Sequence, residues 1–189
     1  MKSKIHEIEL KNILVMSKNW LLLFVIFSAV TANAQAYKGK GDKKAQVGVL
    51  IQSGATGISG SADFGLGENF SIGFIASYLL SVEDHILVYN GATFEEENAK
   101  FPDRADLKVR FNANIGNVIG LPANMDVYPG LHLGTRNFGG HAGFRYFFTN
   151  GFGVFGETAF PIAKYDKTIT GFDTYNNQFT FTVGASFNL

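Results

Sequence analysis

The stretch ADLKVRFNAN, residues 105–114, decides the fold. Ala105, Leu107, Val109, Phe111 and Ala113 are apolar, and Asp106, Lys108, Arg110, Asn112 and Asn114 between them are polar or charged. A β-strand sends successive side chains to opposite faces, so this segment has one oily face and one charged face. In a soluble sandwich or lipocalin-like barrel the oily face turns inward. In a transmembrane barrel it turns out to lipid, and the charged face lines the lumen.

The same alternation recurs along the chain. It predicts eight strands, at residues 46–52, 58–66, 70–79, 105–115, 125–133, 140–148, 152–162 and 178–189. Turn signals separate them, at 53–57, 67–69, 116–124, 134–139 and 149–151; Asn150-Gly151 is a strong hairpin signal. Two connections are longer: a charged one over 82–103 and a polar one over 164–177. Pro129 lacks the amide proton a ladder needs, so a bulge or local distortion is expected there.

Composition agrees with an all-β chain. There are 22 Gly and 19 Phe but only 4 Pro in 189 residues, and helix signals are few. The formal net charge is zero, which removes the basic signature of a nucleic-acid binder. Cysteine is absent, which excludes disulfides, thiolate metal sites and cysteine nucleophiles. Nothing in the sequence calls for a cofactor.

Residues 18–34, KNWLLLFVIFSAVTANA, have the layout of a secretory signal peptide. Lys18 precedes the apolar run, and Ala32 and Ala34 form the A-x-A cleavage signal, which makes Gln35 the mature N-terminus. The run is about 11 residues, against the roughly 20 a spanning helix needs. Glu7 and Glu9 are unusual in an n-region, so Met16 competes with Met1 as the start. The division is thus a signal peptide at 1–34 and one domain at 35–189. No later stretch is a spanning helix, so membrane residence must come from strands.

Three features favour the inside-out barrel. The oily face is rich in aromatics, while the opposite face carries mostly Gly, Ser, Asn and a few charges, as a narrow interior demands. Most segments run about 9–12 residues, close to the roughly 9–11 of a tilted spanning strand. The two long connections also fall on the same side. An eight-stranded lumen is just wide enough for side chains to fill it. The expected lumen charges are Asp63, Asp106, Lys108, Arg110, Asp126, Arg145 and Glu157, four acids and three bases that can pair internally.

On these segments the chain resembles the small eight-stranded outer-membrane β-barrels of Gram-negative bacteria. Its last residues, from Thr182 through Gly184 and Phe187 to Leu189, look like the final-strand signal read by the outer-membrane assembly machinery. Leu189 stands where a terminal Phe is commoner. The resemblance implies an all-β, eight-stranded antiparallel up-and-down transmembrane barrel, Sec export, an outer-membrane location, contact with outer-membrane lipid, and insertion by that machinery. It implies no activity.

Other candidates have plain alternatives. His132 and His141 fall on the polar face of neighbouring strands, where a metal pair or a hydrolase base would sit. Structural or rim histidines are the favoured reading, and no Ser-His-acid spacing stands out. Glu95-Glu96-Glu97 reads as a solvated loop rather than a cation site. Arg110 with Asp106 or Glu157 reads as a plug rather than an ion gate. The leading expectation is a non-enzymatic barrel that stabilises the envelope or presents its long loops to a protein partner. The alternatives are a narrow channel for small or apolar solutes, a lipid A-modifying enzyme and a soluble periplasmic binder.

Overall fold

The computed structural model describes residues 35–82, 86–89, 94–97, 99–165, 172 and 174–189. Among these are β1 (Lys43–Gln52), β2 (Ala55–Gly65), β3 (Phe70–Val82), β4 (Ile86–Tyr89) and β5 (Phe94–Glu97). A helical turn, α1 (Phe101–Arg104), leads into β6 (Ala105–Ala113). Then come β7 (Met125–Gly134), β8 (Asn137–Phe147), β9 (Phe152–Lys164) and β10 (Thr180–Asn188). The signal peptide at 1–34, with Ala32 and Ala34, lies outside the described residues.

Eight strands close into a barrel in the order β1-β10-β9-β8-β7-β6-β3-β2, and every neighbouring pair is antiparallel. The closing seam runs from Lys44 opposite Asn188 to Gln52 opposite Thr180. Closure leaves no free edge, which hydrocarbon could not satisfy.

The polarity is inverted, as the inside-out reading expected. Val109, Phe111, Phe144 and Phe181 are 42%, 45%, 44% and 39% exposed, whereas Arg110 and Arg145 are 2% and 0%. Val47, Val49, Ile58, Phe74 and Val183 continue the apolar exterior around the wall. Water would penalise such a surface and lipid would not. The fold is therefore that of a transmembrane β-barrel.

The connections sort onto two rims. The lower rim has 66–69, 114–124 and 148–151; the upper rim has 53–54, 135–136 and the described residues of the two long connections, among them 99–104 and 174–179. Two turns are shorter than the sequence suggests. Only Ser53 and Gly54 join β1 to β2, and only Thr135 and Arg136 join β7 to β8. Ladder pairing extends these strands past the last residues with clear alternation. The 82–103 connection is not bare loop, because it carries the two-stranded β4–β5 sheet and α1.

The distortion expected at Pro129 takes the form of an interrupted ladder. Strand β7 pairs with β8 continuously through Pro129 opposite Ala142. Its pairing with β6 stops at Gly130 opposite Asn112, and a single bond from Ile115 N to Val127 O resumes it below. The gap falls where Pro129 cannot donate. The register shifts themselves lie at Thr56/Gly57 and Phe138/Gly139.

Residues 35–42 fold back across the lower rim as a strap. Ala36 N donates to Ala123 O at 2.7 Å, and Asn188 Nδ2 donates to Gln35 O at 3.1 Å. Gly39 and Gly41 take φ values of +87° and +84°, a left-handed conformation that glycine adopts without strain. That turn lets Gly41 N and Asp42 O bond to Gly65 at the foot of β2.

Candidate functional site

The lumen is the site the fold builds. All seven charges expected there point inward: Asp63, Asp106, Arg110, Asp126, Arg145 and Glu157 are buried, and the Lys108 side chain is 10% exposed. They fall into two linked arginine-centred knots and one separate pair.

Arg110, on β6, makes the first knot. Its Nε and Nη2 donate to the two oxygens of Asp63 at 2.7 and 2.6 Å, the fork-to-carboxylate geometry that gives the strongest ion pairs. Its Nη1 donates to Glu157 Oε2 at 2.7 Å, and Nη2 also reaches Gln46 Oε1 and Ser61 Oγ, each at 2.9 Å. Strands β1, β2, β6 and β9 thus meet at one guanidinium across the barrel axis.

Arg145, on β8, makes the second knot. Its Nε and Nη2 donate to Asp126 Oδ2 at 3.1 and 2.8 Å, and Nη2 also donates to Asn114 Oδ1. Its Nη1 lies 3.7 Å from Asp63 Oδ2, so Asp63 joins the two knots. The Tyr128 ring sits against both cations, 4.4 Å from the Arg145 guanidinium carbon and 5.9 Å from that of Arg110.

The third group is Lys108 with Asp106, at 3.2 Å. Thr135 Oγ1 donates to the other oxygen of Asp106 at 2.6 Å. Of the two carboxylates weighed as partners for Arg110, Glu157 takes that place and Asp106 does not.

Lys44 and Asp42 add an ion pair, at 2.6 Å, that alternation alone did not single out. Lys44 also donates to Asn188 Oδ1 at 2.7 Å and lies over the Phe147 ring. Its signal was the inward parity of Lys44 in β1, extended three residues before the first clear alternation. Beside it, Tyr37 of the strap donates to Gly67 O and Phe70 O at 2.9 and 2.6 Å. Burial first, and then the Asp42 carboxylate, push the Tyr37 phenol up to about 12.

His132 and His141 stack with ring centroids 5.9 Å apart. Each Nε2 contacts an amide oxygen: Asn137 Oδ1 at 3.0 Å for His132 and Asn112 Oδ1 at 2.7 Å for His141. An amide oxygen only accepts, so each Nε2 carries the proton. Each ring lies over the glycine paired across from it, Gly139 for His132 and Gly130 for His141. A Cβ on either glycine would sit 2.5 Å from the imidazole Nε2. The described residues contain no group of three or more His, Asp or Glu side chains arranged to hold a metal.

The upper end is closed by side chains that parity did not reveal. Phe172 and Tyr175, from the β9–β10 connection, pack with Leu50, Ala55, Leu79 and Val82 inside the mouth. Polar bonds fasten this cap to the wall: Asn137 Nδ2 donates to Asn176 O and Asn177 Oδ1, and Asn176 N donates to Gln52 Oε1. The C-terminal residues singled out earlier lie on or beside β10, where Thr182 faces the lumen and Leu189 is exposed. Glu95, Glu96 and Glu97 form β5 opposite Val88, Leu87 and Ile86.

Comparison with solved structures finds three similar chains. A de novo designed transmembrane β-barrel matches with a TM-score of 0.51 and 10% identity, over 80% of this chain and 98% of that one. The N-terminal β-barrel domain of Pseudomonas aeruginosa OprF matches at 0.49 and 10%, over 80% and 100%. Outer Membrane Protein G from Pseudomonas aeruginosa matches at 0.44 and 9%, over 81% and 99%. At 10% identity the likeness to the designed barrel is one of fold alone. No curated protein matches the chain. The sequence fits the model of a family of unknown function, DUF6646, over residues 27–189, and the chain belongs to that family.

Proposed function

We propose that this protein is a plugged, non-enzymatic barrel of the Gram-negative outer membrane, with its long-loop rim facing outward. It stabilises the envelope or presents the 83–104 and 165–179 connections to a protein partner. One observation carries this reading. Arg110 binds Asp63, Glu157, Gln46 and Ser61, from three other strands, at 2.6–2.9 Å, so the axis is occupied by paired side chains. The apolar wall supports a lipid setting, and the Phe172–Tyr175 cap and the 35–42 strap cover the two ends.

The non-enzymatic part rests on the same packing. His132 and His141 are buried within the lumen and engaged by Asn137 and Asn112, not on the lipid-facing wall where a lipid substrate would lie.

Purified outer membranes provide the test. The unboiled protein should migrate differently from the boiled protein on a denaturing gel. In planar bilayers the purified barrel should show no stepwise conductance. Sustained unitary currents would replace the plug with a channel, and recovery in the aqueous periplasmic extract would remove the membrane assignment. A lipid A profile that changes on deletion, and fails to recover with His132→Ala or His141→Ala, would replace the structural role with an enzymatic one.

A further inference from the structure

We propose that Lys44 and Asn188 join through an isopeptide bond, made with Asp42 as the proton carrier, which closes the barrel seam covalently at its lower end. Lys44 and Asn188 are the lowest partners of the β1–β10 ladder. Lys44 Nζ donates to Asn188 Oδ1 at 2.7 Å and stands 2.6 Å from Asp42 Oδ2. The Asn188 amide carbon is therefore one bond beyond the oxygen that meets the amine. Asn188 Nδ2 is turned the other way, donating to Asn150 O at 2.7 Å and to Gln35 O at 3.1 Å. The leaving nitrogen thus faces the rim, where Asn188 is half-buried.

The Lys44 and Asp42 side chains are 1% and 3% exposed. The buried Phe147 ring lies 5.3 Å from Nζ, and the Tyr37 ring lies 5.8 Å from it. Asp42 is fixed by the strap, since its Oδ2 also accepts from Lys38 N at 3.1 Å. A dry setting of this kind penalises ions and favours a neutral product. A salt bridge would need Lys44 and Asp42 alone. The fold adds a carbonyl, and holding nucleophile, carbonyl and proton carrier together is what accelerates an intramolecular reaction.

The reaction balances without a co-reactant. The Lys44 ammonium passes a proton to the Asp42 carboxylate. Neutral Nζ attacks Asn188 Cγ, and Asp42 lends its proton to the oxyanion that develops on Oδ1. The Nζ–Cγ bond forms and the Cγ–Nδ2 bond breaks. Nδ2 leaves as ammonia with one proton from Nζ, and Asp42 takes its own proton back as the carbonyl re-forms. Asp42 ends protonated, so the site starts and finishes without net charge.

The bond would close residues 44–188, and with them all eight barrel strands, into one covalent loop. Strands β1 and β10 stand at opposite ends of the chain, so no turn holds their ladder together. The chain has no cysteine, so a disulfide cannot brace that seam. A cross-link restricts the unfolded chain more as the loop it closes lengthens.

The test is the mass of the barrel purified from outer membranes, which should be lighter than its sequence by one ammonia. Cyclisation of an N-terminal Gln35 loses ammonia too, so tryptic fragments decide the position. Lys44 should escape cleavage, and its peptide should be joined to the one that holds Asn188. Lys44→Arg and Asp42→Asn should abolish the linked peptide. Asn188→Asp, which condenses with loss of water, should keep it. After boiling, the wild type should run ahead of Lys44→Arg on a denaturing gel, because the closed chain stays smaller. Separate Lys44 and Asn188 peptides from the wild type overturn the bond, whether or not the variants fold. A linked peptide that persists in Asp42→Asn overturns the role of Asp42.

Discussion

Arg110 and Asp63 meet through two parallel hydrogen bonds, Nε to Oδ1 at 2.7 Å and Nη2 to Oδ2 at 2.6 Å, between side chains 1% and 3% exposed. Removing the cation would strand Asp63 and Glu157 as buried carboxylates. Breaking such a pair costs more than the pair itself contributes, about 3–5 kcal/mol. Arg110→Met should therefore lower the urea midpoint of the reconstituted barrel sharply. Adding Asp63→Asn and Glu157→Gln should recover most of the loss. A triple variant as unstable as the single one would show that burial of unpaired charge is not the cause.

Tyr128 is fully buried between the two arginines, and its hydroxyl accepts from Gln46 Nε2 at 3.4 Å. The ring face and the hydroxyl can be separated. Tyr128→Phe keeps the ring over both cations and should cost under about 1 kcal/mol, the scale of one net hydrogen bond. Tyr128→Leu removes the π face from two desolvated guanidinium groups and should cost about 2 kcal/mol or more. Equal midpoints for the two variants would assign the residue to simple space-filling.

Parity made the wall legible. Leu107, Val109 and Phe111 face out while Lys108 and Arg110 face in, because a strand offers only two faces. It did not reveal which charges meet. Asp63 and Arg110 are 47 residues apart and share a knot only because β2 and β6 both flank β3. Nor could it reveal Phe172 and Tyr175 as a cap, since they lie in a connection with no period. Lys44 was readable in principle, but its polar neighbours Lys43 and Asp42 hid the strand start.

The cap and the ionic knots separate as seals. Phe172→Ala with Tyr175→Ala should destabilise the upper mouth, by up to about 3–5 kcal/mol for each fully buried aromatic removed. The knots around Arg110 and Arg145 lie below and remain paired. Planar-bilayer recordings of this variant should stay silent although its urea midpoint falls. Stepwise currents would make the cap, rather than the ion pairs, the seal.

Tyr37 gives the strap a pH limit. Its phenol donates to Gly67 O and Phe70 O, and burial raises it from 10.0 to about 12. A raised folded-state value means folding favours the protonated phenol. The contribution to strap attachment is fully present below pH 10 and is lost as pH rises through about 12. The ultraviolet absorbance titration of the native barrel minus that of Tyr37→Phe isolates this one phenol. The difference curve should rise near 12, and in wild type the strap should become open to protease over the same interval. A difference curve centred near 10 would mean that the phenol is solvated and the strap is not held by it.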